Sequence, residues 1–412
     1  MRHDPRRFAC ALLLVAICGG LAWAGPGMAL AEPREEDAKA VVDGNTAFAL
    51  NLYAQLRTQT GNIFLSPHSI SSALAMTHAG ARGETAAQMA KTMHFTLGPD
   101  RLHPAFGALE SSIKSAGGRP DCRLLVANAL WGQRGEGFLP EFLELTNKNY
   151  GARLREVDFA EATEAARQAV NAWVSEQTQE KIKELLGPND VNAATRLVLT
   201  SAIYFKADWA AQFEERWTKD APFRLGKDKE VVVPTMQKTG LFPLASAEKV
   251  DLLELPYAGD RVALVILLPK KVDGLTALEE SLTPRMLAGW LGGLRPQEVA
   301  VKLPRFSIRF KNDLKETLGA MGMADAFNAE KADFSGLNGR RTLFITKVIH
   351  EAFVGVNEAG TEAGAATAVV QAFGGPPQAP PPFVADHPFL FLIRDRQTGA
   401  VLFLGRLANP QS

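Results

Sequence analysis

The chain has 412 residues, of which 45 are basic and 45 acidic, so its formal net charge is zero. That balance excludes the broad basic footprint of a nucleic-acid-binding protein. The hydrophobic fraction of 46 % is that of an ordinary globular protein, and a chain this long can bury a core without covalent staples.

Residues 1–31 read as a targeting segment. Arg2, Arg6 and Arg7 precede an apolar run from Phe8 to Trp23, and Ala29-Leu30-Ala31 is a small-residue cleavage pattern, with Ala22-Trp23-Ala24 a second. Gly19 and Gly20 interrupt the run, which is too short for a membrane span. Cys10 and Cys18 fall inside it, leaving Cys122 alone in the remainder. No internal disulfide is then possible, although export would permit one. Cys122 is expected to be a buried small apolar residue rather than a reactive thiol.

Asp43 to Gln55 is predicted to be a helix, capped by Asp43, with Phe48, Leu52 and Leu56 at spacing four. Asn62 to Leu65 forms a short strand that Pro67 stops, and Ser69 is placed to cap the helix carrying Ile70, Leu74 and Met76. From Thr163 to Thr178, Ala166, Ala169, Val170 and Trp173 make one helical stripe. The run from Arg196 to Phe205 is too apolar for a strand with one wet face. Val262 to Leu268 is continuously apolar and therefore buried. Thr283-Pro284 supplies a cap and a first-turn proline for a helix with Leu287 and Leu291.

Lys347 to Asn357 is dense in β-favouring residues: Val348, Ile349, Phe353, Val354 and Val356. It runs into Glu358–Val370, where almost every side chain is small. Gln371, Ala372, Phe373, Gly374 and Gly375 follow, then five prolines between Pro376 and Pro382. With no bulky anchor the small-residue segment buries little area, so it stands as an exposed protease substrate or as an Ala/Gly linker between domains. It also has the pattern of a strand. Thr361, Ala363, Ala365, Thr367 and Val369 would take one face; Glu362, Gly364, Ala366, Ala368 and Val370 would take the other. The first face is neutral and narrow enough to enter a packed sheet.

A series of motifs in order carries a resemblance. They are Asn62–Ile70, Gly80–Thr85, Asn128–Trp131, Asn171-x-Trp173-Val174, Leu197–Lys206, Val233–Gln237, Leu255–Tyr257, Val301–Phe306, Ala332–Gly336, Val348–Glu358, His387–Arg394 and Leu402–Arg406. Together these span about Thr46 to Pro410 and resemble the serpin family; the chain is identified as a bacterial-type inhibitory serpin with an N-terminal signal peptide. The resemblance implies an α+β fold, the serpin fold. It has a large central mixed β-sheet, two further sheets, about eight or nine helices and an exposed reactive-centre loop. It also implies one domain over residues 32–412, with the loop at 358–384.

What the resemblance implies for function is specific. A protease cuts the loop, the loop inserts as a new strand into the central sheet, and the trapped acyl-enzyme is carried along. The hinge would be Glu358, Gly360, Thr361, Glu362, Ala363, Gly364, Ala365, Ala366 and Thr367. Ser66, Ser69, Ser201 and His350 would form a buried cluster beneath the sheet. The family has asparagine where this chain has Ser201, so a weaker or water-bridged cluster is expected there. Trp209, Arg305 and Glu358 would mark the point where the loop enters, with an Arg305–Glu358 pair pinning the loop out of the sheet. Counting from the hinge puts the scissile bond after Gly374; counting back from Pro388 puts it a few residues later. Insertion length favours the hinge side, and Phe373 offers the side chain that Gly374 lacks, so Phe373–Gly374 is the expected bond, for a chymotrypsin-like target. Cuts after Val370 or Ala372 would suit elastase-like targets. No Arg or Lys occurs from Thr361 to Val384, which disfavours trypsin-like targets.

The protein is thus expected to be a suicide inhibitor of serine or, alternatively, cysteine endopeptidases rather than an enzyme. It would use no cofactor and no metal. Its partner would be the target protease in a covalent complex, with no nucleic acid or membrane partner, and the inhibitor itself would be monomeric. It would be secreted or periplasmic. A non-inhibitory serpin acting as chaperone or carrier is the alternative; such proteins tend to carry prolines or charges in the hinge, and no proline occurs here before Pro376. Seven histidines are scattered, and G-x-S-x-G, H-E-x-x-H and phosphate-loop motifs are absent from the sequence.

Overall fold

A computed structural model describes residues 34–119, 121–151, 154–361 and 379–412. The targeting segment 1–31, hinge residues Glu362, Ala363, Gly364, Ala365, Ala366 and Thr367, and the bond Phe373–Gly374 lie outside the described residues.

The first half is mainly helical. It comprises α1 (Glu35–Leu56), β1 (Ile63–Leu65), α2 (Pro67–His78), α3 (Gly83–Thr92), α4 (Pro99–Gly117), β2 (Gly118–Arg119), β3 (Cys122–Gln133), α5 (Pro140–Tyr150), β4 (Arg155–Val157) and α6 (Thr163–Gln177). Strands dominate the rest. They begin with β5 (Leu197–Asp208), β6 (Lys219–Arg224), β7 (Glu230–Ser246), β8 (Val250–Pro256) and β9 (Val262–Pro269). Next come α7 (Leu275–Ser281), α8 (Pro284–Gly292), β10 (Arg295–Pro304), β11 (Phe306–Asp313), α9 (Lys315–Leu318) and α10 (Ser335–Asn338). The chain ends with β12 (Ile345–Val356), β13 (Gly360–Thr361), β14 (Pro382–Val384), β15 (Phe389–Asp395) and β16 (Val401–Leu407).

The central sheet runs β11-β12-β13-β5-β3-β2, with β4 beside β3. It is mixed: β12–β5 and β3–β4 are parallel, and the other pairs are antiparallel. The remaining strands form one path, β1-β16-β15-β9-β8-β7-β10-β14, with β6 against β7. The two further sheets are therefore joined. At 17 residues β7 is long enough to pair with β6 and β10 and then, through Leu244–Ser246, with β8. Among the described residues no helix is long and apolar enough to cross a membrane.

Hydrophobic burial divides at the central sheet. Behind it lies the main core, to which β9, buried along its whole length, contributes Val262, Leu264, Val265, Ile266, Leu267 and Leu268. In front, α6 seals a smaller core: Ala166, Val170 and Val174 pack on Ala127, Ala129, Val198, Ala202 and Ile349.

Two sequence expectations shift. The first helix starts at Glu35, not Asp43, because Glu35, Glu36 and Asp37 favour the positive N-terminal end of a helix. Asp43 lies inside α1, paired with Lys39 one turn earlier. Ser66, not Ser69, caps α2: its hydroxyl accepts the Ser69 amide at 3.3 Å, and Pro67 fills the first helical position.

Candidate functional site

The site begins where β12 turns back on itself. Asn357-Glu358-Ala359-Gly360 is a tight turn, closed by the Asn357 amide on the Gly360 carbonyl at 2.9 Å. The Asn357 side chain adds bonds from the Ala359 and Gly360 amides at 3.2 and 3.3 Å, the local bonding that suits asparagine to turns. The chain then re-enters the sheet as β13. Thr361 pairs with Val356 on one side and Ala207 on the other, and Gly360 pairs with Asp208. The first hinge residues already lie in the sheet. The reason is that β12 and β5 pair directly only as far as Phe353–Tyr204, leaving a slot above.

Thr361 is fully buried, and its hydroxyl bonds the Tyr257 hydroxyl at 2.8 Å. Trp209 stacks on the Tyr257 ring at 4.6 Å, and its indole N–H donates to the Asn357 carbonyl at 2.8 Å. The Trp209 amide holds the Ala359 carbonyl, and the Phe213 amide holds the Glu358 carbonyl, each at 2.8 Å. Gly360 has no room for a side chain, since a Cβ there would lie 2.1 Å from the Ala207 carbonyl oxygen.

The Glu358 side chain is turned inward and only 5 % exposed, while that of Arg305 is 41 % exposed. Arg305 Nε donates to Glu358 Oε1 at 2.6 Å, and the Thr218 hydroxyl donates to the same oxygen. The carboxylate is thus satisfied inside the fold by one charged and one neutral donor. Arg305, in the link between β10 and β11, reaches it because Phe306 pairs with Val356.

Below the slot, β12 and β5 run parallel from Ile345–Leu197 to Phe353–Tyr204. Halfway down, Asn128, Ser201 and His350 stand in register on three neighbouring strands. All face α2, where Ser66 and Ser69 meet them. The Ser66 amide donates to His350 Nε2 at 3.1 Å, so the ring proton sits on Nδ1 and donates to Ser201 Oγ at 3.1 Å. Ser201 passes a bond to Ser69 Oγ at 2.9 Å, and Ser69 passes one to Asn128 Oδ1 at 2.6 Å. The Asn128 amide returns to the Ser69 carbonyl at 3.0 Å, and Ser66 Oγ donates to the Leu402 carbonyl at 2.7 Å.

Of the weaker or water-bridged cluster expected at Ser201, the structure shows direct bonds on both sides. Ser201 reaches both neighbours itself, and the amide comes from Asn128 on the adjacent strand. Burial drives the His350 pKa down to about 3, against a smaller raising contribution from Ser201. The Ser201–His350 contact is sealed from solvent, so no substrate reaches it as a nucleophile and base.

Other residues frame the site. Cys122 is buried at the start of β3, with its thiol pushed up to about 11, chiefly by burial. On the far side of the loop, Pro382–Val384 pairs in parallel with Ala300–Lys302 of β10. The two stems of the loop are thus fastened to different sheets. Sequence reading missed Asn128, Thr218, Tyr257 and Asn357 as members of the site. Asn128 had a signal, being in the quoted motif Asn128–Trp131, but its partner depends on cross-strand register.

Comparison with known proteins was made on this framework. A family model described as serpin (serine protease inhibitor) matches residues 43–410. Leukocyte elastase inhibitor A of Rattus norvegicus is 46 % identical over 378 residues, covering 89 % of this chain and 98 % of the relative. The leukocyte elastase inhibitor of Homo sapiens is 45 % identical over 381 residues, with the same coverage. Among solved structures, uncleaved ovalbumin superposes with a TM-score of 0.81 at 31 % identity, covering 90 % of this chain and all of the other. A highly specific serpin of Tenebrio molitor gives 0.79 at 32 % identity, covering 91 % and 98 %.

Proposed function

This chain belongs to the serpin family, and we propose that it is an irreversible suicide inhibitor of serine endopeptidases. The observation that carries the reading is the hairpin at Asn357–Gly360. It delivers Thr361 antiparallel into a slot between two strands that, lower down, pair in parallel. Continued entry would exchange each β12–β5 parallel pair for two antiparallel ones, adding a whole ladder of bonds. Alternation from Thr361 would send Ala363, Ala365 and Thr367 to the core side and Glu362, Gly364 and Ala366 under α6. Small side chains are what such a gap tolerates. Cleavage frees the strand, and insertion competes with hydrolysis of the acyl-enzyme. The protein works as a trapped state whose lifetime is a rate, not as a catalyst. The hinge residues, the cluster of Ser66, Ser69, Ser201 and His350, and the Arg305–Glu358 pair are assigned to this sequence of events.

The relatives' names carry leukocyte elastase, which favours the elastase-like target and cuts after Val370 or Ala372 over Phe373–Gly374. The chaperone or carrier alternative has a structural neighbour in human thyroxine-binding globulin, with a TM-score of 0.81 at 31 % identity, against 46 % identity to an elastase inhibitor. Export is proposed from the pattern of residues 1–31 alone, with one domain over 32–412; the relatives named above are animal proteins, and the bacterial-type reading draws no support from them. Incubation with elastase, chymotrypsin, subtilisin and trypsin tests the reading. The expected outcome is an SDS-stable band at the summed mass with the first two and none with trypsin. Mass analysis of the released C-terminal peptide then identifies the cut bond. Clean cleavage by every protease, with no such band, would refute inhibition.

A further inference from the structure

One side of β3 is left open in the central sheet. β5 pairs with it on the other side from Cys122 to Gly132, with no break in register. On the open side β2 pairs only with Cys122 and Arg123, and β4 only with Trp131 to Gln133. Leu124 to Leu130 therefore have no strand beside them there among the described residues, over roughly 23 Å. The alternation of the ladder fixes which main-chain groups face outward. The Gln133 amide donates to the Arg196 carbonyl on the β5 side, whereas the Arg134 amide donates to the Val157 carbonyl of β4. At the other end the Asp121 carbonyl accepts the Asp208 amide, again on the β5 side. Odd-numbered residues thus bond to β5, and the N–H and C=O of Val126 and Asn128 point away from it. They face a cleft of about 530 Å³, bounded by Met76 of α2, Tyr150 of α5 and Trp173 of α6, where Val126 and Asn128 are partly exposed. Two cations flank the opening. Lys114 reaches over Gly151 from α4, behind the sheet, and Arg155 of β4 lies 4.7 Å over the Trp173 ring in front. Both are exposed, and neither has an ion-pair partner among the described residues. Glu110 also lines the cleft, but its carboxylate is turned in onto His68 Nε2 at 3.1 Å.

We propose that this open side of β3 is a docking site for an extended acidic segment of another protein, which adds to the central sheet as a further strand of about five residues. An uncovered strand edge is a template for pairing: main-chain bonds hold the added strand, and its alternate side chains supply the selectivity. The N–H and C=O groups of Val126 and Asn128 provide four such bonds. Neighbouring side chains of the added strand point to opposite faces, so two adjacent acidic residues meet Lys114 behind the sheet and Arg155 in front. A second copy of this chain is a poor occupant, because pairing edge to edge brings the same cations together. The proposal does not depend on the inhibitory reading, since the slot that receives the hinge lies on the far side of β5.

The test uses the unaltered full-length protein and a fluorescein-labelled hexapeptide with blocked ends, Thr-Val-Glu-Asp-Val-Thr. Two peptides are matched to it, one with Lys-Arg in place of Glu-Asp and one with its central amides N-methylated. The N-methylated peptide keeps the charges and loses the main-chain donors, so it separates strand addition from simple charge attraction. The acidic peptide is expected to bind, with each matched peptide at least about tenfold weaker. Its affinity should fall severalfold as sodium chloride rises from about 0.05 M to about 0.5 M. Amide hydrogen exchange should slow at Val126 and Asn128 on binding and stay unchanged at Ala127 and Ala129, whose amides β5 already holds. A Lys114→Glu/Arg155→Glu variant should prefer the basic peptide over the acidic one. Four results would each overturn the proposal: no binding of the acidic peptide, equal binding of all three, protection along β12 and β5 instead of β3, or self-association of the chain that the acidic peptide disperses.

Discussion

Glu358 is nearly buried and takes its two donors from Arg305 and Thr218, on elements that meet only when the chain is folded. Removing Arg305 leaves a charge in a poorly solvated place with one neutral donor. The cost is about 1–3 kcal/mol, more than an exposed pair would show. Because the turn at Asn357–Gly360 holds the hinge at the sheet's opening, that cost falls on the loop-out state. Arg305→Ala is expected to shorten the half-life of inhibitory activity in the uncleaved protein about five- to a hundredfold. Timed assays of residual inhibition check this, and an unchanged half-life would class the pair as a solvated one. His350 gives a pH prediction of definite sign. Its folded pKa is about 3, against about 6.5 for an unfolded histidine. The unfolded chain binds the extra proton between those values, so stability is complete above about pH 6.5 and falls as the solution is acidified. His103, held at about 4, and His78, also lowered, are buried and act in the same direction. Denaturant melts should lose about 1.4 kcal/mol per pH unit from His350 as the pH falls from about 6.5 to about 4, with His103 and His78 adding loss of the same sign, and His350→Gln should remove that share. At this scale the pairing of Arg305 with Glu358 was legible from motif positions. Thr218 was not, because nothing local to it announces a carboxylate 140 residues away.

The elements show why the hinge enters as it does. The hairpin needs Asn357 to fold the turn and Gly360 to pass the Ala207 carbonyl. Then Thr361 is received by Tyr257, which Trp209 backs. A bulky charge in place of Thr361 would be driven into that buried pocket without a partner. Thr361→Arg is expected to convert inhibitor into substrate: the loop is still cut, but the covalent band falls by at least about tenfold as hydrolysis wins. Gel densitometry of complex against cleaved inhibitor measures the partition, and complex formation at the parent's stoichiometry would exclude insertion past this point. The strands β5, β9 and β12 were legible because apolar runs admit few other structures. The early start of α1 was not, since its first turns are acidic and lack the apolar spacing that marked Phe48, Leu52 and Leu56. The joining of the further sheets through β7 was also hidden, because one strand's length does not say which neighbours it will reach.

At the scale of the molecule, the central sheet holds a pair of parallel strands that an antiparallel strand could separate and join on both sides. The row of Asn128, Ser201 and His350 fastens that seam from behind, and α6 covers it in front. On the inhibitory reading, the native arrangement leaves a more extensively bonded sheet unrealised until the loop is cut. The direct measurement is the thermal melting of the protein before and after a single cut in residues 370–377. A strand of about ten residues adds about ten net bonds of about 1 kcal/mol each, enough to raise Tm by about 10 °C or more. The account predicts that rise in the clipped protein, with both fragments still associated. A clipped protein that melts at or below the intact one would contradict it.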